Sequence, residues 1–175
     1  MASLFLLRHA KAGWSRPGMK DFDRGLDQTG KEEIRLVSGT VKKRYERPQS
    51  VTCSTAMRAR QTWAIFAGAF ACDPESAVFS PALYGGDAPA YVSAVEEQPA
   101  GTQSLLMVGH NPMMEDLAHL LIAGGDANAL AALRSGFPTC GLAVLSLECE
   151  FEAVRPRCAR LEAFLTPAGL RAAAL

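Results

Sequence analysis

The spacing of apolar and polar positions along this chain switches repeatedly between short apolar runs and helical periods. Residues 3 to 8, "SLFLLR", form an apolar run of strand length, and a polar stretch containing Gly and Pro follows from Lys11 to about Gly25. In "DQTGKEEIRLVSGTVKKRYE", Ile34, Val37, Val41 and Tyr45 recur at helical spacing, which predicts an amphipathic helix from about 29 to 46, stopped by Pro48. The β-branched run "SVTCS", 50 to 54, predicts a second strand, and a second helix follows from about Ala56 to Phe70 with Trp63 and Phe66 facing inward. A weak third strand, "AVFS" at 77 to 80, precedes a helix over 88 to 98. "SLLMVG", 104 to 109, is another buried strand. The helix begun by "NPMMEDLAHLLIAG" has Pro112 near its first turn and Gly124-Gly125 at its end. "LAVLSLE" (142 to 148) and "ARLEAFL" (159 to 165) are two further strands, expected to form an antiparallel edge pair.

Strand and helix alternate, so the expected fold class is α/β with a largely parallel sheet. No repeat, low-complexity tract or linker interrupts the pattern, and 175 residues suit one domain spanning 1–175. With 49% hydrophobic and 21% charged residues, disorder is excluded. Eighteen basic residues balance eighteen acidic ones, which gives no general reason to expect nucleic-acid or anionic-membrane binding. Any anion must be held by local placement of charge. The five cysteines are odd in number and contain no CxxC pair, so reduced thiols are expected rather than disulfides or a zinc site. The opening Met1-Ala2-Ser3 has no basic region and no apolar stretch reaches membrane-spanning length, so cytoplasm is the expected location.

In open parallel sheets, ligands bind just beyond the C-terminal ends of the strands. Arg8-His9 follow the first strand, Arg58 falls in the first turn after "SVTCS", and His110-Asn111 follow "SLLMVG". Parallel strands share their edges, so Arg8, His9, Arg58 and His110 are expected to converge on one pocket. Guanidinium offers always-charged, bidentate donors to phosphoryl oxygens, and helix N-termini add amide donors. A neutral imidazole is a nucleophile at phosphorus, and neighbouring cations favour that neutral form. Each element alone has a structural explanation: a strand-end pair, a surface arginine, a histidine satisfied in a turn. Jointly they are more telling, because two of only three histidines occupy these ends. The third, His119, sits mid-helix and reads as structural; with only Glu115 one turn away, it makes no metal site.

"LLRHAKAGW", "DFDRGLDQTG", "STAMRARQT" and "VGHNP", in that order and spacing, resemble the histidine phosphatase superfamily, also called phosphoglycerate-mutase-like. The short length, the "RHAK...DFDRGL" opening and the later "GFPTCGLAVLSL" resemble its SixA-type phosphohistidine phosphatases. The resemblance implies a single-domain, three-layer αβα fold around a mostly parallel sheet. It implies that His9 is the nucleophile, phosphorylated in turnover, with Arg8, Arg58 and His110 on the phosphoryl oxygens. Lys11, Arg24 and Asn111 are further substrate-binding candidates, although Arg24 is also placed to pair with Asp21 or Asp23. No metal or organic cofactor is implied.

Two positions depart from the family pattern. The usual "RHG" is "RHA", so Ala10 adds a methyl where Gly permits close approach. Many relatives also carry a glutamate general acid near a Leu that corresponds to Leu83, where this chain reads "PALYGGDAPA" with Asp87 as the nearest carboxylate. An alkoxide leaving group needs a proton, whereas imidazole, with a conjugate-acid pKa of about 6.5, leaves far more readily. The leading expectation is therefore a phosphatase acting on phosphohistidine of a signalling protein, such as a phosphotransfer domain. The alternatives are a small phosphate ester as substrate, or an inactive phosphoprotein-binding module.

Overall fold

The computed structural model describes residues 1–174. Its strands are β1 (Ala2–Arg8), β2 (Ser50–Ser54), β3 (Val78–Ser80), β4 (Ser104–Gly109), β5 (Ile122–Gly125), β6 (Leu142–Leu147) and β7 (Ala159–Leu165). Its helices are α1 (Gln28–Arg44), α2 (Met57–Ala69), α3 (Ala82–Gly85), α4 (Ala88–Glu96), α5 (Met113–Leu121), α6 (Ala127–Arg134) and α7 (Pro167–Ala172). The strands form one sheet in the order β3-β2-β4-β1-β6-β7-β5. The β2–β3, β2–β4, β1–β4 and β5–β7 pairs are parallel, and β6 is antiparallel to both β1 and β7. Only β6 therefore runs against the rest, and its N-terminal end lies at the edge where the other strands finish.

Strand alternation builds the three layers. From β1, Leu4 and Leu6 join Tyr91, Met114 and Leu117 on the α4/α5 face. Phe5 and Leu7 join Ile34, Val37, Trp63 and Phe66 on the α1/α2 face. All four β1 side chains are buried, so this strand is the shared floor of both cores. Burial of each contributes about 1.5–3 kcal/mol of favourable transfer free energy. α1 starts where the sequence places it because the Asp27 carboxylate accepts from the Gly30 amide at 2.7 Å.

The C-terminal third departs from expectation. Gly124 and Gly125 do not end a helix: α5 stops at Leu121, and Ile122–Gly125 become β5. β5 pairs with β7 and takes the sheet edge, so β6 and β7 are an antiparallel pair but an interior one. The reason is steric. Gly125 has φ 152°, and a Cβ there would stand 2.6 Å from the Leu161 amide nitrogen, so only glycine allows this close strand approach. α6 follows because Asp126 caps it, accepting from Ala129 at 2.9 Å; its run of alanines buries only Ala129 and Leu133, too few apolar positions to display a period.

All five cysteines are free thiols. Among the described residues, no helix is long and apolar enough to cross a membrane. Tyr91, fully buried, joins α4 to the end of β4: its hydroxyl donates to the Leu83 carbonyl at 2.7 Å and accepts from the His110 amide at 3.0 Å. A Cβ on Gly109 would fall 2.7 Å from that hydroxyl, so the strand end is glycine to admit it. Tyr91→Phe leaves both backbone groups unpaired and is expected to cost about 1–3 kcal/mol in urea unfolding, with an unchanged m-value.

Candidate active site

The β1–β4 register aligns Arg8 with Gly109, and the His9 amide donates to the Gly109 carbonyl at 3.0 Å. The residues that follow each strand are thereby side by side, and the His9 and His110 rings stand 5.0 Å apart between centroids. β2 pairs in parallel with β4, so α2 starts at the same edge and its first turn delivers Arg58. The Arg58 Nε donates to His9 Nε2 at 3.2 Å. Arg8 leaves the opposite side of β1, where its Nη1 donates to the Phe137 carbonyl at 2.7 Å. His9, Arg58 and His110 are buried and Arg8 half-buried. The structure thus brings all four expected residues together.

The ring of His9 has a defined proton. Its Nδ1 lies 2.8 Å from the Ala10 carbonyl oxygen, which can only accept, so Nδ1 carries the hydrogen and Nε2 a lone pair. Burial, the largest influence, pushes its pKa down to about 3, helped by His110, Arg58 and Arg8 and opposed by the Ala10 hydrogen bond. Burial, with Arg58 and Arg8, likewise lowers His110 to about 4 against the pull of Asp21. His110 Nε2 is 2.7 Å from the Ser54 hydroxyl, which ties it to the end of β2. Two neutral imidazoles and two fixed cations share one buried edge. The N-terminus of α2 adds its positive dipole end, uncompensated because Ala56 supplies no side-chain cap.

Ala10 fits where the pattern expects Gly: it is fully buried and its amide donates to Thr62 Oγ1 at 3.0 Å. Arg24 pairs with Asp21 at 2.9 Å and donates to the Gly13 carbonyl, as its structural explanation foresaw. Lys11 points to Asp27, 3.8 Å away, and is not drawn to the four. Asn111 stands beside Arg8, both donating to the Phe137 carbonyl, and also donates to Glu115 at 2.9 Å. Asp87, the nearest carboxylate after Leu83, is the N-cap of α4, accepting from Ala90. Tyr84 follows Leu83 instead, 5.8 Å from His110 between ring centroids.

Asp21 escaped the sequence reading as a site residue. Its carbonyl accepts from Arg58 Nη1 at 2.8 Å, its Oδ2 from Arg58 Nη2 at 3.0 Å, and Tyr84 donates to the same oxygen at 3.2 Å. Burial alone would raise its pKa, but the hydrogen bonds from Arg24, Arg58 and Tyr84 and the Arg58 charge hold it below the ordinary carboxylate value. The pairing with Arg24 three residues on was legible. The clamp on Arg58 spans 37 positions and leaves no local signal.

A model of the histidine phosphatase superfamily (branch 1) matches residues 4–78. The uncharacterised protein MT1313 of Mycobacterium tuberculosis is 35% identical over 163 residues, covering 92% of this chain and 99% of that protein. SixA of Agrobacterium tumefaciens, named as a candidate phosphohistidine phosphatase, superposes with a TM-score of 0.80 at 39% identity over 95% of this chain and 98% of its own. The protein histidine phosphatase SixA in complex with tungstate gives 0.74 at 25% identity over 96% and 99%.

Both histidines are neutral when folded, whereas the unfolded chain protonates them near 6.5. The unfolded state therefore binds more protons below that pH. Stability is full above about 6.5 and falls towards pH 4 and then 3, at roughly 1.4 kcal/mol per pH unit for each group. Urea unfolding across this range should show the fall, and His9→Ala should flatten the slope by one proton; an unaltered slope would contradict a neutral His9.

Proposed function

The chain belongs to the histidine phosphatase superfamily, in its SixA-type branch, and is a phosphatase; from that premise we propose that it removes phosphate from phosphohistidine on a signalling protein, by way of a phosphohistidine on His9. The observation that carries the proposal is the unprotonated His9 Nε2, held in that tautomer by the Ala10 carbonyl. Attack forms the Nε2–P bond as the substrate's N–P bond breaks, and the electron pair returns to the departing ring nitrogen. Phospho-His9 keeps its Nδ1 proton on Ala10. Water then attacks phosphorus, His9 recovers its lone pair, and dihydrogen phosphate leaves. No proton need come from a separate acid, and no metal or organic cofactor enters either step.

Arg8, Arg58 and His110 bind the phosphoryl oxygens and stabilise the charge spread over them in the transition state. For attack, the Arg58 Nε must give up the His9 lone pair and turn its hydrogen bond to the phosphoryl group. Asp21 holds the guanidinium by its other two nitrogens while this happens. Arg24 acts through Asp21, and Asn111 beside Arg8 borders the substrate. Lys11 stays at the rim. Support for a protein substrate comes from the open loop beside the site, where Trp14 is 96% exposed.

Brief reaction with labelled phosphohistidine protein should leave acid-labile label on His9. His9→Ala should lower kcat/KM by roughly three orders of magnitude or more, and normal turnover by that variant would overturn the mechanism. Arg58→Ala is expected to cost about a hundred- to a thousandfold in kcat. Asp21→Ala should cost about tenfold, since it loosens the guanidinium without removing it. Higher kcat/KM on a panel of phosphate esters than on phosphohistidine protein would overturn the substrate assignment.

A further inference from the structure

A cavity of about 590 Å³ opens at the same sheet edge, on the side of β1 to which Arg8 points. Arg8, Asn111, Glu115, Phe137 and Thr166 are among its walls, from the end of β1, the start of α5, the entry to β6 and the end of β7. His9, Arg58 and His110 do not line it, so it adjoins the phosphoryl cage through Arg8 alone.

Its polar wall is incomplete in a specific way. Both hydrogens of the Asn111 amide are used, on Glu115 Oε2 at 2.9 Å and on the Phe137 carbonyl at 3.1 Å. With two acceptors fixing that orientation, Asn111 Oδ1 is an acceptor, and it is buried without a partner. Arg8 Nε is also buried without a partner, a donor left open. Glu115 Oε1 lies 3.9 Å from His119 Nε2. Arg8 from β1 and His119 from its own helix are the titratable groups set against Glu115. Asn111 Oδ1 and Arg8 Nε are both closed off from the cavity, so the polar group that faces a ligand is the Glu115 carboxylate. The oxygen this wall offers is on Glu115, and its complement is an N–H on a group whose phosphoryl end reaches Arg8.

We propose that this cavity receives the imidazole ring of the phosphohistidine substrate, and that Glu115, held by Asn111, accepts a hydrogen bond from the ring nitrogen that bears no phosphorus. The inference rests on the phosphohistidine reading above and supplies the element that reading lacks. A phosphohistidine whose second nitrogen is unprotonated would have to leave as an imidazolate, a strong base. Protonated there, it leaves as neutral imidazole: the N–P bond breaks, the pair returns to that nitrogen, and the second nitrogen keeps its hydrogen. Glu115 then does for the substrate ring what the Ala10 carbonyl does for His9. Phosphoryl transfer runs between two rings in matching states, which accounts for a site with no carboxylic general acid after Leu83. The side chain of phosphoserine or phosphotyrosine has no N–H to give to Glu115.

The test compares wild type with Glu115→Gln on a phosphohistidine peptide and on p-nitrophenyl phosphate, between about pH 6 and about pH 8. The ratio of kcat/KM for the peptide to that for the ester should fall about tenfold in the variant at the higher pH and recover towards the lower, where solvent keeps the ring protonated. Glu115→Asp should restore part of the ratio. An equal loss on both substrates, or a peptide loss independent of pH, overturns the assignment. In wild type, independent of any variant's folding, 4-methylimidazole should inhibit peptide turnover more strongly at the lower pH, where it is a cation; inhibition that strengthens as pH rises overturns it. Turnover of the ester with none of the peptide overturns the phosphohistidine reading together with this inference, whereas a wild-type peptide activity with an unmoved ratio overturns this inference alone.

Discussion

A hydrogen bond 2.8 Å long, from the Nδ1–H of His9 to the carbonyl of the next residue, fixes the state of the ring at the centre of the candidate site. It decides which nitrogen is free, and burial keeps that nitrogen unprotonated down to about pH 3. Both conditions depend on the backbone after β1 being held still. The Cys140 amide donates to the His9 carbonyl at 3.1 Å, the Arg8 amide donates to Gly141, and the His9 amide donates to Gly109. The backbone of His9 is therefore clamped between β4 and the entry to β6.

The pleat of β1 then divides the labour. Odd positions carry Phe5, Leu7 and His9 towards the α1/α2 face, and even positions carry Leu4, Leu6 and Arg8 towards α4/α5. Neighbouring residues thus face opposite sides of the sheet edge, Arg8 towards Phe137 and His9 towards Arg58. On one side Arg58, steadied by Asp21 and Tyr84, meets His9. On the other, Arg8 borders the cavity walled by Asn111, Glu115 and Phe137. β6 is the strand that makes this second side. Because it runs against the others, its leading segment, with Phe137, arrives at the edge where the parallel strands end.

What was legible along the chain followed from local pattern. The β1, β2, β4 and β6 runs are mainly apolar or β-branched segments bounded by polar turns, β7 alternates, and α1 and α2 carry a clear helical period. The α/β class, the family and the convergence of Arg8, His9, Arg58 and His110 came from those runs and from four quoted motifs. β5 and α6 were missed, since four residues ending in Gly-Gly and a run of alanines have no period to detect. Their conformations are imposed by contact with β7 and by the Asp126 cap.

Sequence alone determined the strand–helix alternation, the chemistry of the residues after each strand, and the lack of a glutamate after Leu83. Each is a property of residue type and near neighbours in the chain. Tertiary structure decided the tautomer of His9, the clamp of Asp21 on Arg58, the retirement of Asp87 into a helix cap, and the pairing of Asn111 with Glu115 beside Arg8. Protonation and hydrogen-bond partners depend on desolvation and on groups tens of residues away, and these exist only once the sheet has closed around them.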